Sequence, residues 1–216
     1  FSRNGTFMAY RKLHQEVDAW DGYMARQAEK LAAVWEIPLP EAAATLPAKM
    51  AGRWADGTPL VVAPTFADWQ AWRARRESAH KARDMLDPLI ASEDASKRNG
   101  SVLNNRRRIL RRGLPYGARG NPDGEHGIVL MAHCANLFRQ FEFVQQQWLQ
   151  YGLDFNAGND TCPIVGNHLP AEAKFVIAAD PASGRPPFIC ADIPQFVETR
   201  GGEYFFVPSM TALRMI

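Results

Sequence analysis

From His14 onward, Val17, Trp20, Met24, Ala28, Leu31 and Trp35 recur at intervals of 3, 4, 4, 3 and 4 residues. That spacing lays one apolar stripe along a helix. Pro38 and Pro40 end the stripe, because proline lacks an N–H and its ring clashes with the preceding turn. A second helix is predicted from Asn136 to about Gln150, where Leu137, Phe141, Val144 and Trp148 mark an inner face at intervals of 4, 3 and 4. Strand-forming segments flank both helices. Thr6 to Leu13 (TFMAYRKL) follows an Asn4-Gly5 turn and is rich in strand formers. Gly127 to Cys134 (GIVLMAHC) is an apolar run suited to a buried strand, behind the turn signal Asn121-Pro-Asp-Gly124. Phe175 to Ala179, Phe188 to Ala191 and Tyr204 to Val207 complete the set, the last closed by Pro208.

Residues 40–126 show little sustained periodicity. Pro47, Gly52, Gly57, Pro59 and Pro64 punctuate them, and only a short helix is predicted, from Phe66 to Leu86. An irregular stretch of that length inside a compact domain usually serves function. The order strand, helix, excursion, strand, helix, strands predicts an α+β fold with helices on one face of an antiparallel sheet. A split βαβ, or ferredoxin-like, module is the natural candidate.

Composition changes this picture little. The 216 residues suffice for one large domain or two small ones, and a hydrophobic share of 46% is ordinary for a globular chain. No apolar run approaches a membrane span, and no signal peptide is visible. The chain opens on Phe1 and enters a strand within a few residues, so a segment upstream is expected. Cys134, Cys162 and Cys190 are widely spaced and match no zinc pattern; their odd number argues against a disulfide framework and leaves the compartment, cytoplasmic or secreted, open.

Charge matters more. The net charge of +2 is too small to argue for nucleic acid, yet Arg73 to Arg119 carries 13 basic against 5 acidic residues. Five arginines fall within Arg106 to Arg112, broken by Ile109 and Leu110 and followed by Gly113, Pro115 and Gly117. The glycines and proline punctuate the backbone, so the segment reads as an arginine presented on a constrained loop toward an anionic or oxygen-rich site. A solvated charged run beside a turn is the plainer reading. Nucleic-acid binding lacks both interleaved aromatics beyond Trp69, Trp72 and Tyr116 and a recognition motif.

Five collinear segments resemble the dye-decolorizing (DyP-type) heme peroxidases. They are NGTFMAYRKLHQEVDAW at Asn4 to Trp20, AKMAGRWADGTPLVVAP at Ala48 to Pro64, RILRRGLPYG at Arg108 to Gly117, RQFEFVQQQW at Arg139 to Trp148, and RGGEYFFVPSMTA at Arg200 to Ala212. The resemblance implies a ferredoxin-like module of the dimeric α+β barrel type that corresponds to the C-terminal half of a family member. On this reading residues 1–216 are that half, with residues 40–126 forming a cofactor-pocket excursion. It implies a heme cofactor, hydrogen peroxide as oxidant and an organic reducing substrate, in an oligomer or with a companion chain that carries the N-terminal half.

The family pairs a distal arginine with a distal aspartate in a Gly-x-x-Asp-Gly motif. The arginine matches Arg111, the first of the Arg-Arg-Gly triplet; the aspartate motif does not occur in this chain. Alignment of Arg83-Asp84 with the end of the family's proximal-histidine segment puts Arg76 at the iron-ligand position. His80 lies four residues later, about one helical turn away, and is the axial-ligand candidate; a surface histidine is its alternative. The family's orienting aspartate is matched by Cys162, in Cys162-Pro-Ile-Val-Gly166, and a lost carboxylate would weaken an axial histidine. His133 stands where the family has an apolar residue facing the cofactor. It reads either as a core histidine bonded to a carbonyl or as a new ligand or proton-transfer group. Arg106, Arg107 and Arg108 would bind heme propionates or solvent.

Two functions remain open on the sequence. The chain is part of a heme peroxidase, or it descends from one, has lost normal heme ligation, and serves as a partner subunit or a repurposed binding fold.

Overall fold

The computed structural model describes residues 2–78, 106–118, 124–151, 160–169, 173–180 and 183–215. Strand β1 (Thr6–Gln15) runs into helix α1 (Val17–Trp35), followed by α2 (Leu39–Ala51) and α3 (Phe66–Ser78). Strands β2 (Leu110–Tyr116) and β3 (Gly127–Cys134) come next. Helix α4 is π-helical in two pieces, Phe138–Glu142 and Val144–Leu149, joined through Phe143. Strands β4 (Lys174–Ile177), β5 (Phe188–Ala191) and β6 (Val197–Val207) and a short α5 (Met210–Leu213) complete the chain.

The chain forms two compact units, one of residues 1–20, 103–173 and 192–216, the other of residues 21–102 and 174–191. The first is built on a four-stranded antiparallel sheet of order β2-β3-β1-β6. This is the ferredoxin-like order expected from the sequence: β3 inserts between β1 and β2, and β6 pairs on the outer side of β1.

Register fixes which side chains share a face, since alternate residues point to opposite sides. Ala9 pairs with Ala132, which pairs with Arg111, and Ala9 also faces Tyr204 on β6. These four therefore stand on the face that α4 covers. Phe141 of α4 is buried against Ala9, Ala132 and Cys134, with Ile109, Leu130 and Leu137 packed around them. Ala9 and Ala132 have no exposed surface, and their small side chains let the helix approach the sheet closely. Phe141 and Tyr204 meet edge to face with ring centroids 6.3 Å apart.

The opposite face carries Tyr10, Lys12, His14 and Phe205. Tyr10 meets Phe205 edge to face, Lys12 sits over the Tyr116 ring and pairs with Glu125, and His14 lies 5.4 Å from His126 between ring centroids. Leu110 and Leu114 remain exposed.

Close approach marks several glycines, Gly127 and Gly202 among them. A Cβ on Gly127 would lie 1.9 Å from the Leu13 carbonyl oxygen, and one on Gly202 would lie 2.5 Å from Arg11 Nη1. Gly201, beside it, has open space around it. The β1–β6 register shifts between Lys12 and Leu13, a bulge of the kind that bends and twists a strand. Gly127→Ala is expected to lower stability by about 1–3 kcal/mol, since backbone cannot yield as a flexible side chain does. Denaturant unfolding measures it, and an unchanged midpoint would contradict this packing.

In the second unit, Trp54 stacks on Trp69 with centroids 4.7 Å apart and planes 4° from parallel. Trp54 Nε1–H donates to the Ala63 carbonyl at 2.8 Å. Trp35 Nε1–H bonds the Pro186 carbonyl and Tyr23 O–H the Ala191 carbonyl, fastening α1 to the β4–β5 hairpin and its turn. Cys190 is buried there, and burial pushes its thiol up to about 11.

Several expectations need correction in detail. The arginine-rich stretch after Ile109 is strand β2, not a loop: Gly113 and Pro115 sit within it. Pro115 is tolerated because β2 is the sheet's edge. Pro40 opens α2, in its first turn, where no proline N–H is missed. The last strand begins at Val197 and not Tyr204, and β1 extends through His14 to Gln15. Phe66 to Leu86 is helical as far as Ser78; its remainder lies outside the described residues.

Candidate functional site

The face of the first unit's sheet that carries Arg111 also carries Arg11. Arg11 pairs with Leu130 across β1–β3, and Gly113 of β2 pairs with that same Leu130. The two arginines therefore stand on one face, on the strands either side of β3 and two residues out of step. Arg11 is held from three directions. Its Nη1 donates to the Tyr10 carbonyl at 2.8 Å, its Nη2 reaches the Tyr204 hydroxyl at 3.4 Å, and its guanidinium lies 4.9 Å from the Phe141 centroid and 5.2 Å from that of Tyr204. A cation over two ring faces is favourable, and Gly202 leaves it the room.

Between this face and α4 lies a cavity of about 710 Å³, within the ~300–1,000 Å³ usual for small-molecule and cofactor sites. Leu13, Ile109 and Leu130 line it from the sheet side, and Phe141, Val144 and Leu149 from the helix. Arg11 and Arg111 bring two positive charges to these apolar walls. Glu198 is the one carboxylate among the described lining residues, and its Oε2 is bound to Arg200 Nη2 at 2.8 Å.

The third wall comes from the turn Cys162 to Gly166. Cys162 N–H donates to the Leu149 carbonyl at 2.7 Å, and Gly166 N–H returns to the Cys162 carbonyl at 2.8 Å. That closure presents Val165 and Asn167 to the cavity. Gln195 locks it: its Nε2 donates to the Gly166 and Val197 carbonyls at 2.9 and 2.8 Å. The segment singled out for its Cys162 thus borders the cavity, although Cys162 itself is not among the lining residues.

The other expected site residues spread out. Arg111 is an exposed strand residue on the cavity rim. Arg108 is exposed, does not line this cavity, and lends its carbonyl to Gln140 Nε2. His133 pairs with Leu110 and Met8, so it stands on the sheet face opposite Arg111 and is half-buried. Arg76 belongs to the second unit, where its Nη1 lies 3.9 Å from Asp56 Oδ2. His80 lies outside the described residues. Among the described residues, no cluster of histidine, cysteine and carboxylate side chains could hold a metal ion.

Arg76 contributes to an electrostatic latch. Burial raises the Asp56 pKa, but the Thr58 backbone N–H at 3.0 Å, the Thr58 and Trp69 side chains and the Arg76 charge outweigh it and hold the carboxyl below its usual range. A lowered folded pKa contributes stability above the unfolded value of ~3.9 that is lost as pH falls through the folded value. Acid unfolding of Asp56→Asn is therefore expected to show a shallower loss of stability below about pH 4 than the parent. Parallel curves would remove this role.

Arg11, Gln195 and Glu198 escaped the sequence reading. Arg11 had a signal: within TFMAYRKL it alternates in phase with Ala9 and Leu13, a charge at an inward position. Gln195 and Glu198 had none: Glu198 is placed by pairing of β6 with His14, far away in sequence, and Gln195 by its bonds to the Gly166 and Val197 carbonyls.

The cavity suits a flat, largely apolar group with an anionic edge: a broad apolar wall, a helix aromatic and two fixed cations. Heme has that character, and the described lining residues accommodate it, with no axial ligand among them.

Residues 76–157 match the family description "Dyp-type peroxidase, C-terminal". A dye-decolorizing peroxidase of Exidia glandulosa is 29% identical over 97% of this chain and 44% of its own length. One of Auricularia auricula-judae is 28% identical over 97% of this chain and 46% of its length. A multifunctional dye peroxidase of Amycolatopsis is 32% identical over half of this chain. Among solved structures, a dye-decolorizing peroxidase in complex with cyanide superposes with a TM-score of 0.66 at 23% identity, covering 98% of this chain and 51% of that one. A DyP-type peroxidase of Anabaena gives 0.59 at 25% identity, over 97% of this chain and 45% of its own. The chain spans about half the length of these relatives.

Proposed function

We propose that the chain is a member of the DyP-type peroxidase family corresponding to its C-terminal half, as its similarity to that family supports, and that it forms the heme-bearing half of a peroxidase. That enzyme would oxidise organic substrates with hydrogen peroxide. The observation that carries the reading is the 710 Å³ cavity with apolar walls and Arg111 and Arg11 on one side.

Heme, when bound there, supplies the redox centre that peroxide oxidises and organic substrate reduces. The chain's own residues prepare the surroundings. Leu13, Ile109, Leu130 and Phe141 exclude water, which strengthens every charge effect inside. Arg111 would bring a planar positive charge to the place where negative charge grows as an O–O bond breaks. Arg11, packed between Phe141 and Tyr204, is set to meet an anionic edge of the cofactor. Arg108, exposed at the entrance to β2, is a further cation for a propionate. His80, the candidate from the sequence, would be the residue that holds the heme iron. Arg76, by its tie to Asp56, supports the fold of its own unit. His133, on the far sheet face with exposed Leu110 and Leu114, would sit against the companion half that carries the distal carboxylate. That half, on the same or a separate polypeptide, and an oligomeric assembly belong to the proposal.

Peroxide-dependent oxidation of a phenol or dye tests it, measured with hemin present and with or without a polypeptide carrying the Gly-x-x-Asp-Gly motif. Turnover that needs hemin supports the reading. A heme-loaded protein without turnover in either case would favour the repurposed binding fold.

A further inference from the structure

The face of α4 turned away from the Arg111 cavity lines a second one. Its volume is about 890 Å³, and its walls include Arg106, Arg107, Arg139, Phe138, Phe143 and Gln146. Phe141, Val144 and Leu149 face one cavity and Phe138, Phe143 and Gln146 the other, so the two lie on separate sides of the same helix.

Three arginines converge here, and no carboxylate is among the described lining residues. Arg107 is already fixed. Its Nη1 donates to the Arg139 carbonyl at 2.6 Å, and its guanidinium stacks 3.4 Å from the Phe143 centroid. Its Nε–H is buried without a hydrogen-bond partner. The helix start is rigid as well: Arg139 N–H donates to Asn136 Oδ1 at 2.8 Å, and Asn136 N–H to Gln140 Oε1 at 2.9 Å. These bonds hold the Arg139 backbone while its side chain stays exposed. Phe138, 73% exposed, leaves a large apolar ring at the mouth of a basic cleft. Uncompensated guanidinium groups select planar, bidentate anions, and the Arg107–Phe143 stack beside an open phenyl ring selects an aromatic body.

We propose that this cleft is a binding site for a small aromatic carboxylate, separate from the Arg111 cavity. The carboxylate is held by Arg139 and Arg106, and the ring lies against Phe138 and the Arg107–Phe143 stack. The site does not depend on the peroxidase reading, because neither heme nor Arg111 takes part.

2-Naphthoate titrated into the intact chain, with and without hemin, tests it by ligand-observed NMR and calorimetry. Saturable binding is expected, with cyclohexanecarboxylate at least fivefold weaker and methyl 2-naphthoate weaker still. Arg139→Ala should weaken naphthoate about tenfold. Phe138→Ala should bring naphthoate and cyclohexanecarboxylate close together, and its circular dichroism should match the parent's, since Phe138 is exposed. Arg111→Leu should leave the affinity unchanged. Equal binding of all three probes, no saturable binding at millimolar concentration, or an Arg139→Ala affinity equal to the parent's would overturn the proposal.

Discussion

Replacement of Arg111 by leucine is expected to lower peroxide-dependent turnover of the heme-loaded protein by about 10²–10³-fold, the usual loss when one preorganised charge-stabilising group is removed. Stability should barely move. Arg111 is exposed, and exposed substitutions ordinarily stay within about 0.5 kcal/mol. Arg111→Lys should restore only part of the rate, because a compact ammonium on a flexible stem does not reproduce a planar guanidinium. Parallel measurements of turnover and heme occupancy separate this from loss of cofactor. Full turnover in Arg111→Leu would remove the residue from the site.

The second large effect distinguishes two phenylalanines three residues apart. Phe141 is 8% exposed and packs on Ala9, Ala132 and Cys134, whereas Phe138 is 73% exposed. Phe141→Ala should destabilise the protein by about 3–5 kcal/mol, the usual cost of deleting a buried aromatic side chain. It should also loosen Arg11, which lies over the Phe141 ring. Phe138→Ala should shift stability by no more than about 0.5 kcal/mol. Chemical denaturation gives both values, and similar losses would mean that α4 does not pack as described.

Much of the fold could be read from the residues. The stripe Met24, Ala28, Leu31 and Trp35 is buried as the spacing requires, and Tyr23 and Gln27 widen it. The apolar run Gly127 to Cys134 is the central strand β3. Less legible was the arginine stretch. Gly113 and Pro115 signal a turn when seen alone, yet an edge strand tolerates both, and only pairing with β3 shows that Arg111 stands on the cavity side of the sheet while Leu110 and Arg112 stand on the other. Parity also separates His133 from Arg111, one residue out of phase across the same pair of strands. Helix α2 was hidden by its own prolines, one in its first turn and one inside it.

The site was legible in part. Arg111 stood out through charge and resemblance, and the Cys162 to Gly166 turn through its motif. The cavity's second cation did not, because Arg11 is 100 residues away from Arg111 in sequence and reaches it only through the order of strands. Long-range pairing is the information that periodicity does not carry.

Heme occupancy of the cavity between the sheet and α4 is tested most directly by a hemin titration. The parent chain is expected to take up one equivalent and develop a Soret band, while Val144→Trp, which fills the cavity from the helix side, should lose it and remain folded by circular dichroism. No Soret band in the parent, or an equal band in the cavity-filling variant, would contradict the assignment.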